Sequence, residues 1–281
     1  MSYNISSDQL HDPIIKELLT KLREYFDSIH SEFYIIGATA RNIILSAIHN
    51  LEIKRATSDL DIAIAIPDWS QFDKISSDLD AMDGFHKSNK QKQLFWYNKV
   101  YQLDIVPFGE VAKEDHSIYW PPEEEFAMSV IGFTEIVKDV ISVIIDDELE
   151  VNVASLPGIF ILKLAAYKDR GFELNKHADD IAYIIANYLE INEERAVSDH
   201  YDIYGAENFT IFTSGATLLG RDTKRILSEN ADALNYFIDI LQTEIDAEEE
   251  SILINQMLET HTSLKYDEVF DALQTLLNEL K

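Results

Sequence analysis

The sequence predicts an α+β fold, a mixed sheet with helices over residues 1–155 followed by an all-helical domain over 156–281. Short β-branched runs ending at Gly or Pro alternate with helical periodicity in the first half. After Leu156-Pro157-Gly158 the periodicity is helical throughout. With 281 residues, 46% hydrophobic and 11% aromatic, the chain can bury two cores rather than remain disordered.

The elements follow in order. Leu10, Ile14, Leu18, Leu22 and Phe26 recur every fourth residue and predict an amphipathic helix over about Ser7 to Ile29. Phe33-Tyr-Ile-Ile36 is a short apolar strand stopped by Gly37, and a helix follows from Thr39 to about Asn50. Leu60 to Ile66 reads as a buried strand interrupted only by Asp61 and closed by Pro67, with a helix from Trp69 to Met82 after it. Gln93 to Tyr97 and Tyr101 to Phe108 flank Asn98-Lys-Val100 as a hairpin, and Val140 to Ile145 with Glu150 to Val153 form another strand pair around Asp146-Asp147. Beyond 156, helices are expected over about 158–168, 176–190, 215–228, 231–244, 249–260 and 267–280.

Composition limits the partners. Lys and Arg number 23 against 51 Asp and Glu, a formal charge of −28, which opposes a broad nucleic-acid footprint because such binding needs Lys and Arg to displace counterions. The same excess suits a cationic small molecule or a basic protein partner, and it also serves solubility. The absence of cysteine removes disulfides, thiolate zinc sites and a cysteine nucleophile. Neither a signal-like N-terminus nor an apolar run of about 18 residues is present, so a soluble cytoplasmic protein with no membrane partner is expected.

Strand alternation puts Asp59 and Asp61 on one face, and Asp104 sits alone between Leu103 and Ile105 in another apolar strand. If those strands are neighbours, three carboxylates converge. Their mutual repulsion suits hard divalent cations, and Mg2+, two ions in all, fits this donor set. The plainer alternative is that Asp59 caps a strand while Asp61 faces water. The turn Gly37-Ala38-Thr39 leads a strand into a helix N-terminus, where backbone N–H groups and the Thr39 hydroxyl can meet an anion; it also reads as an ordinary turn capped by Thr39. The eight histidines lack metal-ligand spacing. Tyr201-Asp-Ile-Tyr204 and Phe95-Trp-Tyr97 read as core or loop anchors before they read as stacking platforms.

Taken in order, Gly37-Ala-Thr-Ala-Arg-Asn42, Arg55-Ala-Thr-Ser-Asp-Leu-Asp61, Leu103-Asp-Ile-Val-Pro-Phe-Gly109 and Lys163-Leu-Ala-Ala-Tyr-Lys-Asp-Arg170 resemble the nucleotidyltransferases of the AbiEii/AbiGii toxin type, within the polymerase-beta superfamily. The resemblance runs from about Phe33 to Tyr188. It implies a polymerase-beta-like core over 1–155, with Gly37, Ala38 and Thr39 at the triphosphate and Asp59 and Asp61 binding metal. Asp104 would ligate the catalytic metal and help deprotonate the attacking hydroxyl. Lys163 would neutralise nucleotide phosphates, with Arg170 and Asp180 in supporting positions. Lys163 has apolar neighbours and no partner nearby in sequence, although a lysine so placed also snorkels at helix edges. Arg41 and Arg55 are further candidates for phosphate or for surface acids. The chain departs from the family in carrying Ala38 where Gly or Ser is usual, in a longer interval from Gly37 to Asp59, and in His177 at a position often acidic.

The reaction so implied is attack of an acceptor hydroxyl on the α-phosphate of a nucleoside triphosphate, with pyrophosphate released at a cleft formed by Asp59, Asp61, Asp104 and Lys163. The resemblance implies an RNA or tRNA end or a protein hydroxyl as acceptor, and a cognate antitoxin as partner. The acidity keeps open an aminoglycoside-type antibiotic nucleotidyltransferase, and Ala38 keeps open a catalytically inactive nucleotide-sensing or interaction module.

Overall fold

The computed structural model describes all residues except 1, 11, 53–56, 123, 125–126, 171–174 and 208. Arg55 therefore lies outside the described residues. Two compact units divide the chain, Met1–Ser155 and Leu156–Lys281.

The first unit is built on an eight-stranded mixed sheet. Its strands are β1 (Ser2–Ile5), β2 (Phe33–Ile36), β3 (Asp59–Ile66), β4 (Phe85–Lys87), β5 (Leu94–Tyr97), β6 (Tyr101–Gly109), β9 (Val140–Ile145) and β10 (Leu149–Ala154), in the order β1-β9-β10-β2-β3-β6-β5-β4. A separate hairpin joins β7 (Ser117–Tyr119) to β8 (Ala127–Ser129). β3 runs antiparallel to β2 and parallel to β6. The β5–β6 hairpin turns at Asn98 and Lys99, both left-handed with φ 50° and 62°, as a tight hairpin demands.

Alternation assigns the two faces of the sheet. Phe33, Ile35, Leu60, Ile62, Ile64, Phe95, Tyr97, Leu103 and Ile105 are all fully buried on one face. Helix α1 (Pro13–Ser28) covers them. The Phe26 ring packs tilted against Phe33 with centroids 5.2 Å apart, and the Tyr97 hydroxyl donates to Glu17. α3 (Trp69–Ala81) is tied to α1 by a hydrogen bond from the Tyr25 hydroxyl to Asp78 Oδ2 at 2.9 Å. On the other face Tyr34, Phe108 and Phe133 form a ring row at 6.5 and 5.8 Å, Phe133 coming from the short α4 (Phe133–Ile136). The same face carries Asp61 and Asp104.

Several boundaries differ from the sequence expectation. α1 begins only at Pro13, because Asp12 caps the Ile14 N–H at 2.9 Å and Pro13 occupies the first turn, while Ser7–Leu10 forms a separate 3-10 turn. The helix expected from Thr39 starts at Gly37 as α2 (Gly37–Asn42) and continues as a π-helical turn, Ile43–Ile48.

The second unit consists of α5 (Leu156–Arg170), α6 (Lys176–Ile191), α7 (Glu193–Asp199), a 3-10 turn (Tyr201–Gly205), α8 (Ile211–Leu227), α9 (Ala231–Asp246), α10 (Ile252–Thr260) and α11 (Tyr266–Leu280). α8 starts earlier than expected because Thr210 and Thr213 form a reciprocal capping box. α10 starts later, capped by Ser251. α6 and α8 cross closely at Gly215, where a Cβ would stand 2.3 Å from the Ile185 carbonyl oxygen. One buried acid links three helices: Asp222 of α8 accepts from the Tyr188 hydroxyl of α6 at 2.6 Å and from both terminal nitrogens of Arg195 of α7 at 2.9 and 2.5 Å. Such a bidentate pair is charge-assisted and geometrically specific. Among the described residues, no helix is long and apolar enough to cross a membrane.

Candidate active site

β3 positions the acidic residues. Its parallel register with β6 sets Asp61 directly opposite Asp104, on strands about 4.8 Å apart. Asp59 lies on the same face two residues earlier, about 6.6 Å along the strand, opposite Gln102. Both β3 aspartates are partly exposed, whereas Leu60 and Ile62 on the reverse face are fully buried.

Gly37 closes this arrangement from the neighbouring strand. The antiparallel register pairs Ile36 with Asp61, so the chain turns into α2 against the Asp61 carboxylate. Gly37 has φ +69°, and a Cβ built there would stand 2.0 Å from Asp61 Oδ2. Any larger residue meets both backbone strain and the carboxylate. α2 has no side-chain cap; its N-cap residue is Ile36, not Thr39. The N–H groups of its first turn therefore have no capping side chain.

The sequence-selected residues around this turn take different positions. Ala38 is 7% exposed. Thr39 is buried, and its hydroxyl donates to the Asp59 carbonyl oxygen at 2.9 Å, so it braces β3 instead of offering a proton to an anion. Arg41 is turned inward at 1% exposure, with Nε and Nη2 donating to Asn42 Oδ1 at 3.2 and 2.8 Å. The Asp59 carboxylate accepts from the Thr57 hydroxyl.

Sequence reading passed over Tyr101. This residue of β6 is 2% exposed, and burial, then the negative charges of Asp12, Asp59 and Asp61, push its hydroxyl well above the ordinary tyrosine range, keeping it protonated. A tyrosine within an apolar strand gives no signal of this until β3 is placed beside it.

The donor chemistry fits a divalent cation. Carboxylate oxygens are hard ligands, Asp61 and Asp104 are strand neighbours of like charge, and Gly37 leaves the space at Asp61 Oδ2 clear. Among the described residues, no three His, Cys, Asp or Glu side chains are gathered closely enough to hold a metal as they stand. The expected convergence of all three carboxylates thus reduces to one opposed pair with Asp59 beside it, its carboxylate turned to Thr57.

In the helical unit, Lys163 of α5 has a partner that sequence proximity did not suggest. Its Nζ lies 2.5 Å from Asp180 Oδ2 of α6, with side-chain exposures of 12% and 0%. One turn before Asp180, His177 is buried, and its Nδ1 has no hydrogen-bond partner among the described residues. Burial, reinforced by the positive charges of Lys163, Lys176 and Arg170 against the opposing pull of Asp180, pushes its pKa down to about 3 and keeps it neutral. Arg170 is exposed at the end of α5. Of the two aromatic clusters, Phe95 and Tyr97 are core, as expected, but Tyr201 is 71% exposed and anchors no core.

A profile described as nucleotidyl transferase AbiEii toxin, type IV TA system, matches residues 22–276. The chain belongs to this family, and it is a nucleotidyltransferase. No curated protein matches it. Among solved structures, the solution structure of the antibiotic-resistance factor ANT(2'')-Ia is similar at 14% identity, over 69% of this chain and 99% of that one, with a TM-score of 0.37. A likeness this slight says nothing about substrate.

Two predictions follow from the local geometry. Gly37→Ala displaces the Asp61 carboxylate while the fold is retained, and pyrophosphate release by the full chain falls roughly 100-fold, the scale of an ångström's misplacement; unchanged turnover with an unchanged circular dichroism spectrum contradicts the contact. His177 is held below its ordinary value, so the unfolded chain binds more protons than the native one between about pH 6.5 and 3, and stability is lost as pH falls through that window. His177→Gln removes one proton from this dependence, flattening the slope of unfolding free energy against pH by up to about 1.4 kcal/mol per unit. Parallel wild-type and variant slopes in urea titrations would show that His177 is not buried neutral.

Proposed function

We propose that the chain transfers a nucleoside monophosphate from a nucleoside triphosphate to an acceptor hydroxyl of RNA, tRNA or protein, that transfer depends on Mg2+, and that it acts as the toxin of a toxin–antitoxin pair in the cytoplasm. The observation that carries the reading is the Asp61–Asp104 pair set against Gly37 in a chain of this family.

In this reading the acceptor oxygen bonds to the α-phosphorus as the bond to the pyrophosphate oxygen breaks. The hydroxyl proton passes toward Asp104. Residues 1–155 form the catalytic domain, and 156–281 the helical domain. Gly37 and Ala38 bring the uncapped N–H groups of α2 to the triphosphate, which a helix N-terminus attracts. Thr39 and Arg41 support this turn from inside, one holding the Asp59 carbonyl and the other Asn42. In the helical unit, Lys163, held by its ion pair with Asp180, and the exposed Arg170 are the candidates for contact with the nucleotide phosphates. Asp61 and Asp104, joined by Asp59 once it leaves Thr57, would hold Mg2+, two ions when all three serve. The bound cation would supply Lewis-acid activation of the acceptor and neutralise the leaving pyrophosphate. Rate enhancement rests on positioning and charge neutralisation.

A second acceptor class has an observation in its favour. The charge of −28 suits a cationic aminoglycoside better than a long RNA. The test follows radiolabel from each of the four α-labelled triphosphates into total tRNA, protein or an aminoglycoside, with and without Mg2+, for wild type and Asp61→Asn. Label in tRNA or protein, lost without Mg2+ and reduced at least about 1000-fold in the variant, is the expected result. Label in the drug alone moves the acceptor to the antibiotic class. Nucleotide binding with no label in any acceptor leaves a sensing module.

A further inference from the structure

Within the second unit, a run of exposed apolar side chains serves none of the chemistry above. Among the described residues, Val197, Tyr201, Phe209 and Ile211 are exposed at 51%, 71%, 42% and 60%, and the sole other large exposed hydrophobic is Val100. They occupy the end of α7, the 3-10 turn Tyr201–Gly205 and the start of α8. The rings form a row, Tyr201 to Tyr204 at 5.8 Å and Tyr204 to Phe209 at 5.9 Å. Ala196, Ile203 and Phe212 are the apolar members of this segment that face inward, at 0%, 3% and 4% exposure, so the outer row is not needed to fill the core. Grouped apolar exposure of this kind marks an interaction surface.

Charge identifies the occupant. Exposed aromatic rings stack nucleic-acid bases readily, but a strand brought to them must also bring its phosphates. Here the same stretch of chain carries the exposed acids Glu193, Glu194, Asp199 and Glu207. The nearby arginines are already engaged, Arg195 with Asp222 and Arg221 with Asp202 and Glu279. We infer that this face docks a basic protein segment, whose apolar side chains cover Tyr201, Phe209 and Ile211 while its Lys or Arg residues meet those acids. The inference stands on the helical unit alone and does not depend on the acceptor or the metal.

The test uses the full chain and synthetic amphipathic peptides as probes, read by fluorescence anisotropy at physiological salt. One peptide has a Leu face and a Lys face, a second replaces Lys by Glu, and a third replaces Leu by Ser. The Lys–Leu peptide is expected to bind wild type and to bind Tyr201→Ser/Ile211→Ser at least about tenfold more weakly, because that variant loses apolar contact at unchanged charge. The Glu–Leu and Lys–Ser peptides should bind wild type at least about tenfold more weakly than Lys–Leu. Glu193→Gln/Glu194→Gln/Asp199→Asn, which leaves the rings intact, should weaken the Lys–Leu peptide and reduce its salt dependence. The substituted side chains are exposed, and unchanged melting curves confirm folding. Equal affinity of the Lys–Leu peptide for wild type and the serine variant overturns the inference. So does Tyr201-dependent binding of single-stranded RNA without peptide binding, or Tyr201-dependent self-association in sedimentation.

Discussion

Two aspartates stand opposite each other across neighbouring strands of the sheet, and the chain around them is arranged to fit the Asp61 carboxylate. Asp61 and Asp104 share a face because β3 and β6 run parallel in register. β2 runs antiparallel on the other side of β3 and must leave the sheet beside Asp61. A residue with a Cβ at that point would overlap Oδ2, so the strand ends in Gly37 and passes directly into a helix that no side chain caps. The same constraint that admits the carboxylate thus sets the uncapped start of α2 next to Asp61.

Two hydroxyls tie the start of β3 to its surroundings. Thr39 reaches from α2 to the Asp59 carbonyl, and Thr57 reaches the Asp59 carboxylate. Tyr101, buried near Asp12, Asp59 and Asp61, stays protonated and adds no charge there. The helical unit treats its own buried charges differently. Lys163 and Asp180 neutralise each other directly, and the adjacent His177 is kept neutral. Breaking such a pair by removing one partner leaves a desolvated charge, which is why the two belong together.

Much of this was legible in the chain, in proportion to how local the cause is. β2, β3, the β5–β6 hairpin and the long helices α3, α6, α9 and α11 follow from apolar period, and Asp12-Pro13 carried a helix-start signal that the fourfold spacing of Leu10 obscured. β1, β4, β7 and β8 are three or four residues long, too short to show a period, and exist because a neighbouring strand pairs with them. The candidate site divides in the same way. Asp59, Asp61 and Asp104 could be picked from carboxylates inside apolar strands, but the Gly37–Asp61 contact requires the β2–β3 register, and the Lys163–Asp180 pair requires two helices to be packed. Arg41 misleads in sequence because nothing local shows that its side chain turns inward to Asn42. Tyr201 misleads in the opposite direction, an aromatic expected as a core or loop anchor whose side chain is 71% exposed.

On the proposed function, Asp61 and Asp104 would hold one divalent cation between them. This is tested most directly by Mn2+ binding in the presence of a non-hydrolysable nucleoside triphosphate, followed by water-proton relaxation in wild type, Asp61→Asn, Asp104→Asn and the double variant. The predicted result is that each single change weakens Mn2+ binding at least about tenfold and that the double variant is far less impaired than the product of the two, as expected of neighbours sharing one ion. Retention of wild-type binding in either single variant, or losses that multiply independently, would contradict it.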